Sequence, residues 1–301
     1  MPSLGLGLGL HKQINLGKMQ PINVQPIRNL LVGTLVKDIT TKYYGEPIIW
    51  VIADKNHAGY PANSVTLLSK YALTLKCGDA MEPSNSSGNR RNYGNNRYLY
   101  SNIRQWLNSA AGPGEWYTAQ HSADAPPTNE NVYGGYNEYD AEAGFQNDFS
   151  ANFRNALLST SLTVVKATYD GGGTETVVDK VFLLSTAEVG LADEDYAEGS
   201  KLALFSDDTS RQAYPTALCV SNSEYTHTDL KTDSPWRWRL RTPDASSSYL
   251  VRRVNADGSL DAEAARSGTS GIQPACNLPS SILVSDTPDE DGAYIIQWRD
   301  N

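Results

Sequence analysis

Apolar and polar positions along the chain predict a body rich in strands with a few short helices. Residues 48–53, Ile48-Ile49-Trp50-Val51-Ile52-Ala53, form an apolar run of strand length, and Ser64-Val65-Thr66-Leu67-Leu68-Ser69 is its expected neighbour. Residues 101–108 place Ile103, Trp106 and Leu107 at i, i+3 and i+4 behind Ser101, the pattern of a short amphipathic helix with a serine cap. Residues 149–158 predict a second helix capped by Ser150. Residues 162–168 and 177–185, joined by Asp170-Gly171-Gly172-Gly173, predict a hairpin. Arg239-Leu240-Arg241 and residues 249–254 are expected late strands, followed by a turn at Ala256-Asp257-Gly258. Residues 85–96 and 110–140 are expected loops, and 188–198 is acidic and irregular. There is no internal repeat of solenoid or propeller period.

Residues 1–35 look separate from this body. Leucine alternates with glycine over residues 4–10, and Pro21 and Pro26 follow, so helix is opposed and an extended segment with one apolar edge is expected. Such an edge suits docking on a neighbouring subunit or a larger assembly. The expected division is an attachment or oligomerisation arm at 1–35 and a globular domain at 36–301. The arm lacks the basic start and small-residue cleavage site of a signal peptide.

Charge narrows the choice of partner. The 301 residues carry 34 acidic and 25 basic side chains, a net charge of −9, with a pI near 5.0. That opposes nucleic acid as the main partner. No run is long and apolar enough to cross a bilayer. Cys77, Cys219 and Cys276 are widely spaced and odd in number, which favours buried free thiols over zinc or redox work. No cofactor and no metal site is expected.

Several phrases in order carry a resemblance. They are Trp50-Val51-Ile52-Ala53, residues 65–70, Asn95-Asn96-Arg97-Tyr98, residues 101–108, residues 179–185 with Glu188-Val189, and Tyr214-Pro215-Thr216-Ala217. Trp236, Trp238, Leu240-Arg241-Thr242-Pro243 and residues 271–278 complete the set. Over residues 36–296 the chain resembles the C-type-lectin-like domain of phage tail and receptor-binding proteins, many of them diversified by retroelements. The resemblance implies an α+β fold with small antiparallel sheets, two short helices and long ordered loops. Near its end the family reads Gly-Val-Arg-Pro-Ala where this chain has Ile272 and Gln273, which puts one internal ion pair in doubt.

The resemblance also implies a variable binding face. Its framework would comprise Trp236, Trp238, Leu240, Arg241, Pro243, Tyr249, Val251, Val254, Gly258, Leu260 and Gly271, with both tryptophans in the core. The residues between would point outward to a ligand, because strand side chains alternate: Arg237, Arg239, Asp244, Ser247, Leu250, Arg253, Ala256, Asp261, Ala262, Glu263, Ala264, Arg266, Ser267, Thr269 and Ser270. Small residues crowd 262–270, as expected of a loop with weakly constrained identity. The four arginines of this set offer bidentate donors for carboxylate or phosphate.

Other chemistry finds less support. Glu82-Pro83-Ser84 and Gln273-Pro274-Ala275 only partly match calcium-lectin motifs, and the acidic residues Asp286, Asp289, Glu290 and Asp291 fall short of an EF-hand loop. Formylglycine-generating oxidases share the superfold but pair cysteines near the C-terminus, where this chain has Cys276 alone. No G-x-S-x-G elbow is present, and His11, His57, His121 and His227 are scattered. The expectation is therefore a non-enzymatic, phage-type host-adhesion protein. It would sit in the virion after assembly in the host cytoplasm, bind a bacterial cell-surface protein or glycan, and contact other virion proteins through its arm as a homo-oligomer. The alternative is a structural or decorative virion protein without a dedicated receptor.

Overall fold

A computed structural model describes residues 23–191 and 198–298. The leucine-glycine run at 4–10 and most of the acidic stretch lie outside the described residues.

In chain order, β1 (Val24–Pro26), β2 (Leu35–Tyr43), β3 (Glu46–Lys55), β4 (Ser64–Ser69) and β5 (Thr74–Leu75) precede the helices α1 (Gly88–Tyr93), α2 (Asn102–Leu107) and α3 (Ala151–Ala156). Next come β6 (Thr160–Val165), β7 (Thr174–Asp179), β8 (Val181–Phe182) and helix α4 (Ala217–Asn222). The chain then runs through β9 (Trp238–Pro243), β10 (Leu250–Val254), β11 (Leu260–Ala264), β12 (Gly271–Ile272), β13 (Ala275–Pro279), β14 (Leu283–Ser285) and β15 (Ala293–Gln297). This is an α+β protein dominated by strands.

An eight-stranded sheet of order β1-β14-β15-β2-β3-β4-β13-β8 forms the base. The apolar run in β3 is continuous because both of its faces are covered. Trp50 and Ile52 join one core with Trp106, Phe149 and Phe153, while Val51 and Ala53 join a second with Phe182, Trp238 and Leu240. The first core holds α2 and α3 against the sheet. The second holds the five-stranded sheet of order β11-β10-β9-β12-β5. Strands β6 and β7 form a separate antiparallel hairpin, as their pattern predicts, though they are shorter than expected.

Both expected helices form, and each is capped as expected: Ser101 accepts from Arg104 N and Ser150 from Phe153 N. Departures have local causes. Helix α1 falls in an expected loop because its six residues, Gly88-Asn89-Arg90-Arg91-Asn92-Tyr93, carry no apolar period, and the Ser87 cap on Arg90 N starts it instead. Helix α4 was not anticipated; Thr216 caps it through Cys219 N. The expected boundary at residue 35 lies inside the fold. β1 pairs with β14, and Ile27 and Leu30 are core residues, so residues 24–35 belong to the body. Pro26 is tolerated because β1 is the sheet's edge, where a missing N–H costs no ladder bond. No described helix is long and apolar enough to cross a membrane.

Candidate functional site

The expected binding face is centred on β9, β10 and β11. Cross-strand register aligns Arg239 with Arg253, and Arg253 with Asp261, in one lateral row. Glu263 lies two residues beyond Asp261 on the same side of β11. Arg239 Nη2 donates to Glu263 Oε1 at 2.6 Å and to the Ser267 carbonyl at 2.8 Å. Arg253 donates to Glu263 Oε2 at 3.1 Å and Asp261 Oδ2 at 2.6 Å. Burial would raise the Asp261 carboxyl, but the Arg253 guanidinium outweighs it and holds the group below the usual range. Each charge in the row thus has its counter-charge within the row.

The outward assignment needs correction at four positions. Arg239, Glu263, Thr269 and Ser270 are buried. Residues 76–80 and 265–270 fold over this side of the sheet: a Cβ on Gly78 would stand 3.2 Å from Arg239 Nη1, and the Thr269 carbonyl accepts from Trp236 Nε1 at 2.9 Å. Ser270 O likewise accepts from Lys76 N at 3.3 Å. Residues 260–264 are also a strand and not a loop. Asp261 and Glu263 therefore face one side and Ala262 and Ala264 the other, so these four cannot form a single surface. A register shift between Val251 and Arg253 has the same consequence on β10, where both Val251 and Val254 are buried.

Other predicted positions build turns. Asp244 Oδ1 accepts from Ser246 N at 2.9 Å, and Ser247 Oγ accepts from Tyr249 N at 3.2 Å and Leu250 N at 3.1 Å. Asn96 braces the same turn through the carbonyls of Ser247 and Leu250. Ser247 and Leu250 also border a shallow cleft with Tyr169 and Tyr249. The framework tryptophans are core, as expected, with Trp236 and Trp238 3% and 0% exposed. Arg241 is bound bidentately by buried Glu188 at 2.6 and 2.7 Å, and Tyr60 donates to the same carboxylate. Gln273 donates through Nε2 to the Ser69 carbonyl at 3.0 Å, a backbone partner in place of an ion pair.

Two arginines of the expected set, Arg237 and Arg266, have no carboxylate partner among the described residues. Arg237 lies with its guanidinium carbon 4.4 Å from the Trp236 ring centroid and 5.7 Å from that of Tyr225. His227 extends the aromatic wall, 5.4 Å from Trp236. Trp236, Arg237 and His227, with Asp229, Arg253, Ala256 and Asp257, line a groove of about 450 Å³. Arg266 sits between Tyr93 and Tyr133, at 5.1 and 5.4 Å, with the sulfur of Met81 accepting from Nη1. The Nε atoms of Arg237 and Arg266 are both buried without a hydrogen-bond partner. Stacked, uncompensated guanidinium groups of this kind suit recognition of an oxygen-rich ligand. Sequence reasoning missed Tyr93, Tyr133, Tyr225 and His227 because separate elements outside β9–β11 deliver them: the end of α1, a turn at Tyr133, and the loop after α4. The one available signal was the excess of tyrosine over phenylalanine, 17 to 5, since tyrosine is the aromatic that serves a half-wet surface.

All three cysteines are free and buried, and burial pushes the thiols of Cys77 and Cys219 up to about 12 and that of Cys276 up as well, far from the poise of a nucleophile. Of the scattered histidines, His121 stands apart: with Glu82 and Asp124 it brings ligand atoms within 4.8 Å of one another.

Comparison with known proteins adds one assignment. A family model described as a domain of unknown function, DUF6273, matches residues 63–280. The chain belongs to this family. The DUF6273 match begins just before β4 and ends just after β13, so it takes in the whole five-stranded sheet and both arginine sites, while β1 to β3, β14 and β15 lie outside it. No curated protein and no solved structure matches the chain.

Proposed function

We propose that this DUF6273 protein is a non-catalytic receptor-binding protein, built on a C-type-lectin-like domain, whose ligand seats in the groove walled by Trp236 and Arg237. The observation that carries the reading is the pairing of an uncompensated guanidinium with an aromatic wall in one open groove. The exposed His227 ring takes the apolar side of a sugar, with nearly buried Trp236 backing the wall, the arginine takes its acidic or hydroxyl oxygens, and Asp257 accepts from hydroxyls. A cell-surface glycan is therefore the favoured ligand. The resemblance of its ordered phrases to those of phage tail proteins supports host adhesion from a virion, with the N-terminal segment contacting other virion proteins and several copies strengthening weak single contacts.

The test is binding of the purified full chain to a panel of bacterial cells, alongside a variant carrying Arg237→Ala and Arg266→Ala. Neither arginine has a counter-ion among the described residues, so the variant should fold, which its melting temperature checks. Selective binding by the parent that the folded variant loses supports the reading. Equal binding by both, or binding to no strain, overturns it in favour of a decorative structural role.

A further inference from the structure

We propose that Glu82, His121 and Asp124 form a site for one divalent transition-metal ion of the Zn²⁺ or Mn²⁺ class, independent of the groove. Glu82 comes from the loop after β5, while His121 and Asp124 stand at the two ends of one turn closed by Asp124 N on the His121 carbonyl at 3.1 Å, and the ligand atoms of all three lie within 4.8 Å of one another. That is compact enough for small side-chain shifts to bring each to about 2.0–2.2 Å from one ion. The donor set mixes an imidazole nitrogen with carboxylate oxygens. Calcium prefers an all-oxygen shell, whereas zinc and manganese accept this mixture.

The strongest observation is the state of the imidazole. His121 Nε2 lies 2.7 Å from Glu82 Oε1, yet it is buried and makes no aligned hydrogen bond. Two donor atoms that approach so closely without aiming at each other converge instead on a shared position. On its other side, Nδ1 accepts a long 3.3 Å contact from Ala123 N. An ion at Nε2 takes that nitrogen's lone pair, moves the ring proton to Nδ1 and ends the Ala123 contact.

The surroundings are those of a metal site's outer layer. Glu82 is 0% exposed, and its oxygens accept from the amides of Asn95 and Asn85. Asp124 accepts from Gln120 N at 2.7 Å and from Asn102 Nδ2 at 3.3 Å. Buried Asp79 stands behind, with both oxygens on backbone N–H groups. These donors orient the carboxylates without neutralising them, and no Lys or Arg pairs with any of the three acids among the described residues. Buried negative charge is costly unless a cation balances it.

The experiment uses the full chain, stripped with EDTA and titrated calorimetrically with Zn²⁺, Mn²⁺ and Ca²⁺. One transition-metal ion should bind per chain and raise the melting temperature. His121→Ala and Glu82→Gln should each weaken binding at least about tenfold and abolish the thermal gain. Nitrogen-edited NMR of His121 should report transfer of the ring proton to Nδ1 on loading. The His121 side chain is 22% exposed, so His121→Ala should fold even where Glu82→Gln does not, and it then decides alone. No binding at millimolar ion, or unchanged affinity in His121→Ala, overturns the proposal.

Discussion

Arg239 and Glu263 form a buried ion pair that spans three strands: Arg239 on β9 reaches past β10 to Glu263 on β11 at 2.6 Å, with side-chain exposures of 0% and 8%. Sequence alternation places both residues on one face, as observed. What it cannot show is that residues 265–270 return over that face and seal it.

The pair sets the first prediction. Glu263 keeps Arg253 if Arg239 is removed, but Arg239 has no second carboxylate among the described residues, so Glu263→Leu strands a fully buried guanidinium and should cost about 3–5 kcal/mol. The double change Arg239→Met with Glu263→Leu should recover most of that loss. Urea unfolding of the three proteins checks both outcomes. Arg266→Ala, which breaks no ion pair, should stay within about 1 kcal/mol of the parent.

Asp38 sets a pH-dependent prediction. Its buried carboxylate accepts from Thr40, Thr41 and Ser150 hydroxyls at 2.7, 2.7 and 2.9 Å. Burial alone would raise its pKa, but these donors outweigh burial and hold it below the usual aspartate range. A depressed folded value means the stabilisation is complete above about pH 4 and is lost as pH falls through that lowered value. Asp38→Ala should therefore cost about 1–3 kcal/mol at pH 7, with a smaller deficit at pH 3. Parallel urea titrations at the two pH values measure the difference.

Two glycines separate backbone strain from collision. Gly171 has φ +89° with open space where a Cβ would stand, whereas Gly258 has φ +91° and a Cβ there would lie 2.0 Å from the Asp208 carbonyl oxygen. Gly171→Ala should cost only the left-handed strain, about 1 kcal/mol. Gly258→Ala must also displace the backbone of residue 208 and should lower the melting temperature clearly further.

If the gene is diversified by a retroelement, burial decides where variation is tolerated. Sister genes should vary at 237, 256 and 266, and should keep Arg239, Glu263, Thr269 and Ser270. Sequencing the locus with its template repeat reads this directly. Free variation at the buried four would mean that the face is not the diversified surface.

Strong local signals were legible in the chain. Ile103, Trp106 and Leu107 with the Ser101 cap announced α2, and the apolar run at 48–53 announced β3. Helix α1 had no apolar period to read, and β11 was hidden because Leu260-Asp261-Ala262-Glu263-Ala264 is edge-strand sequence, alternating charged and small residues without β-branched ones. At the candidate site, Trp236 and Arg237 were legible because they are neighbours in sequence. Their partners Tyr225 and His227 were not, and neither was the convergence of Glu82 with His121, because only the tertiary fold brings those residues together.

Strand β15 lies between β14 and β2, parallel to β2, and so joins the first-made and last-made parts of the eight-stranded sheet. During synthesis the β2–β3–β4 meander can pair as it emerges, but β1 must wait for β14, and that pair has no link to the rest until residues 293–297 leave the ribosome. Such long-range closure is slow and leaves β2 with an open edge meanwhile. The nascent chain thus carries a sticky strand from the emergence of β2 until residues 293–297 follow, and a chain ended just short of residue 293 would keep that open edge and be prone to self-association.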